Sequence, residues 1–174
     1  MTIAAPQSSE FNEYYARYIG TVPPSAPLAS LNAQLAVFDK LGQLSDVAAD
    51  FCYADGKWSV REVLGHMADV ERLFSYRLLH IARGDQAPLP GMDEKVWSAH
   101  APHDRRPISQ IAQEMIALRR ATIALVESLD EAAVARAGVA SGFPVTARAL
   151  CWILPGHAQH HLNVLRERYK LTVA

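Results

Sequence analysis

Apolar residues return every third or fourth position through four long segments of this chain, and nowhere do they alternate steadily in twos between hairpin turns. A helix turns once in about 3.6 residues, so this spacing gives each segment one apolar stripe that must be covered by other elements. The chain is therefore expected to be nearly all α. Its 174 residues suit a single domain, 1–174, that can bury a core without disulfides or structural metal.

The first segment opens at Pro27, which a first turn tolerates because its missing N–H would have no intrahelical partner. Leu28, Leu31, Leu35, Phe38, Leu41 and Leu44 form its stripe. The second has the clearest start: Ser59 caps the first turn, Glu62 reaches back to the Ser59 N–H, and Trp58 packs on Val63. Its stripe runs from Val60 to Ile81 and stops before Gly84. Residues 85–106 hold three prolines, Gly91 and a short helix around Asp93 to Ala99; a connection of this length lets the second and third helices run parallel. The third helix is expected from Pro107 to about Leu129, burying Ile108, Ile111, Met115, Leu118 and Leu125, with a helical turn from Asp130 to Ala137 after it. The fourth, from about Thr146 to Tyr169, contains Pro155-Gly156, where a kink or a full break is expected because interior Pro costs about 3 kcal/mol.

Charge and cysteine use narrow the function classes. The net charge is −1 and the basic residues are scattered among acids, so no track for a nucleic-acid backbone is present. Arg119-Arg120 reads as a solvated helix face. Cys52 and Cys151 make no C-x-x-C spacing and are expected as reduced thiols. No apolar run is long enough to span a bilayer and no secretory signal opens the chain, so a cytoplasmic location is expected. Nucleophilic catalysis by a side chain is disfavoured, since no Ser-His-Asp, G-x-S-x-G or Cys-His pattern has its required context.

Chemistry concentrates in histidines. His157 and His161 stand four apart, one turn along the inward stripe of the fourth helix, and His66 stands on the inward stripe of the second. Each alone reads more simply as a satisfied core residue. Three together favour a shared ion, because a metal satisfies one nitrogen on each buried ring. Three imidazoles also leave a coordination position open for water or substrate, as catalytic zinc does. Zinc, nickel, copper and iron all suit such ligands. Asp69, three residues after His66, is the candidate carboxylate for orienting that ring or accepting a proton. His160 either flanks the site or meets solvent. His103, in a loop, overhangs a pocket or has no role. Tyr14, Tyr15 and Tyr18 either cover a pocket or, as the reading preferred here, staple an N-terminal segment to the bundle.

The run Lys57-Trp58-Ser59-Val60-Arg61-Glu62-Val63-Leu64-Gly65-His66, followed by Gly156-His157-Ala158-Gln159-His160-His161, resembles the DinB-like (damage-inducible-B) superfamily. Arg77 to Leu89 and Leu165 to Tyr169 also look like one bacterial branch of it, and the likeness extends from about Tyr14 to Tyr169. It implies a four-helix bundle, commonly a homodimer, with a divalent metal, nickel or zinc, on His66, His157 and His161. Some members of that superfamily are thiol S-transferases or thiol-dependent isomerases that use low-molecular-weight thiols. Relatives often carry an acidic residue where this chain has Ala158, which removes that position as a general base.

The leading expectation is a metal-dependent enzyme, either a hydrolase or a thiol S-transferase, acting on a small molecule that is itself a low-molecular-weight thiol in the second case. Asp69 and His160 are its candidates for moving protons. The alternatives are a non-catalytic bundle that binds metal or ligand, and a metal-free interaction protein.

Overall fold

A computed structural model describes residues 2–24 and 27–172. In chain order the helices are α1 (Ala16–Ile19), α2 (Pro27–Gly42), α3 (Asp46–Ala49), α4 (Val60–Ala82), α5 (Glu94–His100), α6 (Ile108–Glu127), α7 (Glu131–Ala135) and α8 (Ala147–Glu167), with strands β1 (Ala137–Ala140) and β2 (Phe143–Thr146) before α8. The four long ones, α2, α4, α6 and α8, make a four-helix bundle.

Local rules start these helices where expected. Ser59 Oγ accepts from the Glu62 N–H while Glu62 accepts from the Ser59 N–H at 2.7 Å, a complete capping box. Thr146 caps α8 by accepting from the Ala149 N–H. Gly84, two residues past α4, takes φ +84°, a value side chains with a Cβ resist.

Contacts between distant residues give the helix directions. Arg61 near the start of α4 donates to the Arg106 carbonyl just before α6, and further along Glu71 meets Arg119, so α4 and α6 run parallel. Tyr169 beyond the end of α8 donates to the Trp58 carbonyl before α4, while His157 and His161 meet His66, so α8 opposes α4. Gly42 lies against Ala112 and Gln34 against Arg119, which sets α2 antiparallel to α6. The long 83–107 connection is what a parallel neighbour requires.

Three expectations are overturned. A β-hairpin stands where a helical turn was expected to continue to Ala137: α7 ends at Ala135, and Ala137 pairs with Thr146. Its two-residue turn, Ser141-Gly142, has positive φ at both positions (56° and 81°), the backbone a right-twisted hairpin favours. Ser-Gly is a readable turn signal, but Gly138 and Pro144 break the β-like pattern around it. Second, of the kink or break expected at Pro155 the break does not occur: α8 runs through Pro155 as one helix. The whole stretch Trp152 to Ala158 is buried, and Gln34 Nε2 donates to the Pro155 carbonyl at 2.9 Å, so packing outweighs the lost backbone bond. Third, Arg119 is not a solvated residue: it is 0% exposed and forks onto Glu71, with Nε to Oε1 at 2.8 Å and Nη2 to Oε2 at 2.9 Å. Arg120 does face solvent. Both cysteines are free, Cys52 exposed and Cys151 buried.

Candidate metal centre

His66 comes from the second turn of α4, and His157 and His161 come from successive turns of α8. One ligand atom from each lies within 4.8 Å of the others. The His157 and His161 Nε2 atoms are 3.1 Å apart, and the ring centroids of His66 stand 5.3 Å and 4.9 Å from those two. Two nitrogens bound to one tetrahedral zinc at about 2.0–2.1 Å are separated by roughly 3.3 Å; the His157–His161 pair has about that spacing, and the full set, within 4.8 Å, needs only side-chain adjustment to close on one ion.

Electrostatics suits them to the task. Burial lowers His66 to about 4, and burial together with neighbouring imidazoles holds His157 and His161 well below the ordinary value. All three are neutral at physiological pH, the form that donates a lone pair. The residues present therefore fit a divalent cation, through donor type, spacing and charge state alike.

Gly156 shapes the approach. A Cβ there would lie 2.3 Å from the Tyr18 carbonyl oxygen, so only Gly lets α1 press on α8 one residue before His157. Tyr18 is buried and sets its ring 5.3 Å from both His157 and His160. Tyr15 packs edge-on against Phe74 at 5.9 Å. The tyrosines thus staple the N-terminal segment and at the same time line a cavity of about 280 Å³ that includes all three histidines.

The structure separates the remaining candidates. His160 lines that cavity, its ring 5.2 Å from His161. Asp69 lies elsewhere, at a narrow cavity of about 10 Å³ behind His66, where its Oδ2 pairs with His103 Nε2 at 2.9 Å and Arg72 stands 3.6 Å from Oδ1. His103 is buried rather than a loose loop residue; it rests over Gly65, where a Cβ would lie 2.2 Å from its ring.

Among the cavity residues that sequence reasoning missed are two cations, Arg77 and Arg17. Arg77 was detectable: eleven residues after His66, it lies about 20° from it around α4 and shares the inward face. Arg17, on a short N-terminal helix, left no comparable signal.

This helical bundle with three inward histidines matches the family model of the DinB superfamily over residues 30–165. The chain belongs to the DinB superfamily. A protein of Oceanobacillus iheyensis, named for an inferred metal-dependent hydrolase activity, is 24% identical over 130 residues, 71% of this chain and 72% of that protein. YfiT from Bacillus subtilis, described as a probable metal-dependent hydrolase with an unusual four-helix bundle topology, shares the fold with a TM-score of 0.70 at 22% identity, over 96% of this chain and 94% of its own. No helix among the described residues is long and apolar enough to cross a membrane.

Proposed function

We propose that this protein is a metal-dependent hydrolase for a small molecule, with His66, His157 and His161 holding a divalent ion, nickel or zinc. The observation that carries the reading is the convergence of three neutral, buried or half-buried imidazoles from two helices on one point at the wall of a cavity. The names given to the two relatives lend support. When bound, such an ion lowers the pKa of a coordinated water into the neutral range, or holds a thiol as thiolate.

The chain's own residues supply the rest. Tyr18 and Phe74 set ring edges against His157, at 5.3 Å and 5.8 Å, and limit how that imidazole can turn. Trp58 stacks at a tilt on His66 at 4.9 Å and closes the opposite side. Asp69 pairs with His103 at 2.9 Å and reaches His66 through its charge rather than through a hydrogen bond. His160, with an imidazole facing the cavity, is placed to take a proton from a group arriving there.

Elemental analysis of protein purified without an affinity tag tests this first. A single stoichiometric divalent ion per chain is expected, falling sharply in His66→Ala, His157→Ala and His161→Ala. Turnover across a panel of hydrolase substrates should vanish on chelation and return with metal. Turnover confined to a low-molecular-weight thiol plus an electrophile would reassign the activity as S-transfer. A chelation-dependent drop in Tm with no turnover in either panel would make the ion structural. Absence of stoichiometric metal would overturn the reading.

A further inference from the structure

Among the described residues three arginines are buried, and their surroundings differ. Arg119 is paired with Glu71. Arg61 is paired with Asp50 at 2.6 Å and Asp46 at 3.3 Å. Arg77, 2% exposed, has no carboxylate within ion-pair distance among the described residues. Its Nη2 donates to two neutral acceptors, the Pro90 carbonyl at 2.8 Å and Ser141 Oγ at 2.9 Å, and its Nε–H has no acceptor. The Phe74 ring face, 5.7 Å from the guanidinium carbon, offers partial compensation. A cation withdrawn from water without a counter-charge is costly, and the cost is removed if a ligand brings the negative charge.

Arg77 lines the same cavity as the three histidines, and so does Arg17, whose guanidinium donates to the Tyr18 hydroxyl at 2.9 Å and lies over the Tyr14 ring. Glu94 is the one acid among the residues lining that cavity. A guanidinium fork without a counter-ion matches, by charge and planar shape, the oxygens of a carboxylate or of a phosphate.

We propose that the substrate is an oxyanion, carrying a carboxylate or phosphate that Arg77 binds while the remainder of the molecule reaches the histidine cluster. This rests on the hydrolase reading above, since it names the class of molecule that site receives. The Ser141-Gly142 turn then has a purpose: with Pro90 it holds the Arg77 fork in place.

Calorimetric titration of the chelated protein with benzoate, benzamide and inorganic phosphate tests the proposal. At least one anion is expected to bind, with benzamide at least tenfold weaker than benzoate if the group is a carboxylate, and phosphate preferred if it is a phosphate. Arg77→Met should weaken the preferred anion at least tenfold, and Arg77→Lys, which keeps the charge but loses the fork, should restore part of the loss. If Arg77→Met does not fold, as circular dichroism would show, Arg77→Lys against the wild type decides alone, with anion weakening expected and no change for benzamide. Binding of neither anion, equal binding of benzamide and benzoate without phosphate binding, or unchanged anion affinity in the folded Arg77 variants overturns the proposal. Because no metal is present in the titration, a failure of the metal reading leaves this result standing, and the reverse also holds.

Discussion

Arg119 and Arg77 are both buried arginines at core-facing positions of long helices, yet the protein closes around one and leaves the other open. Arg119 on α6 meets Glu71 on α4 through two parallel bonds and the Gln34 side chain on α2 through a third; Gln34 in turn reaches the Pro155 carbonyl and Gln159 on α8. One connected set of side chains therefore ties the four helices together, with its charge neutralised internally. Arg77 has neutral acceptors, an idle donor and a cavity beside it. The same residue type is structural where its counter-ion is part of the fold, and poised for a ligand where it is not.

The comparison breaks most readily at Glu71. Glu71→Gln leaves the Arg119 charge buried without a carboxylate and is expected to lower unfolding stability by about 3–5 kcal/mol in denaturant melts. Glu71→Leu with Arg119→Met, which removes both charges, should recover most of that loss. If the single change costs nothing, the network is not the closed half of the molecule.

Gly156→Ala tests the boundary between the halves. Ala would gain about 1 kcal/mol in helix propensity, but its Cβ meets backbone that cannot easily retreat, so a net loss of about 1–3 kcal/mol is expected in thermal melts. A gain in Tm would show that α1 yields without cost.

A smaller effect lies at the surface near the narrow cavity. Partial burial pushes Glu114 up, but hydrogen bonds from Arg106 and Arg72 outweigh it and leave the carboxyl below its ordinary value. A depressed carboxylate contributes stability above its unfolded pKa, near 4.3, and loses it as pH falls through the folded value. Glu114→Gln should flatten that acid-side decline by about 0–1 kcal/mol, read as melting temperature against pH. An unchanged acid limb would show that these arginines do not act on the carboxylate.

The smallest change concerns access. Burial pushes the Cys151 thiol up to about 12, whereas Cys52 is exposed. Native protein should show one thiol reactive toward an aromatic disulfide reagent and denatured protein two. Rapid reaction of both in native protein would mean that α8 opens far more than its packing implies.

Much of the fold was legible because helix formation is local. The capping box at Ser59 and Glu62, the starts at Pro27 and Thr146, and the inward stripe holding His157 and His161 all follow from spacing within a turn or two. The parallel α4 and α6 were readable as well, since the length of the intervening chain permits that arrangement. The Ser141-Gly142 hairpin was missed because its strands are four residues each and interrupted by Gly138 and Pro144.

By itself the sequence determined where the long helices begin and which of their faces turn inward, and so that three imidazoles would point toward the core. Only the tertiary structure decided what each inward polar group meets: His103 for Asp69, Glu71 for Arg119, the turn at Ser141 for Arg77. The physical reason is range. Helical periodicity is set by neighbours one turn away, whereas the pairing of a buried charge depends on which distant helix packs beside it, and a single sequence does not encode that partner in any local pattern.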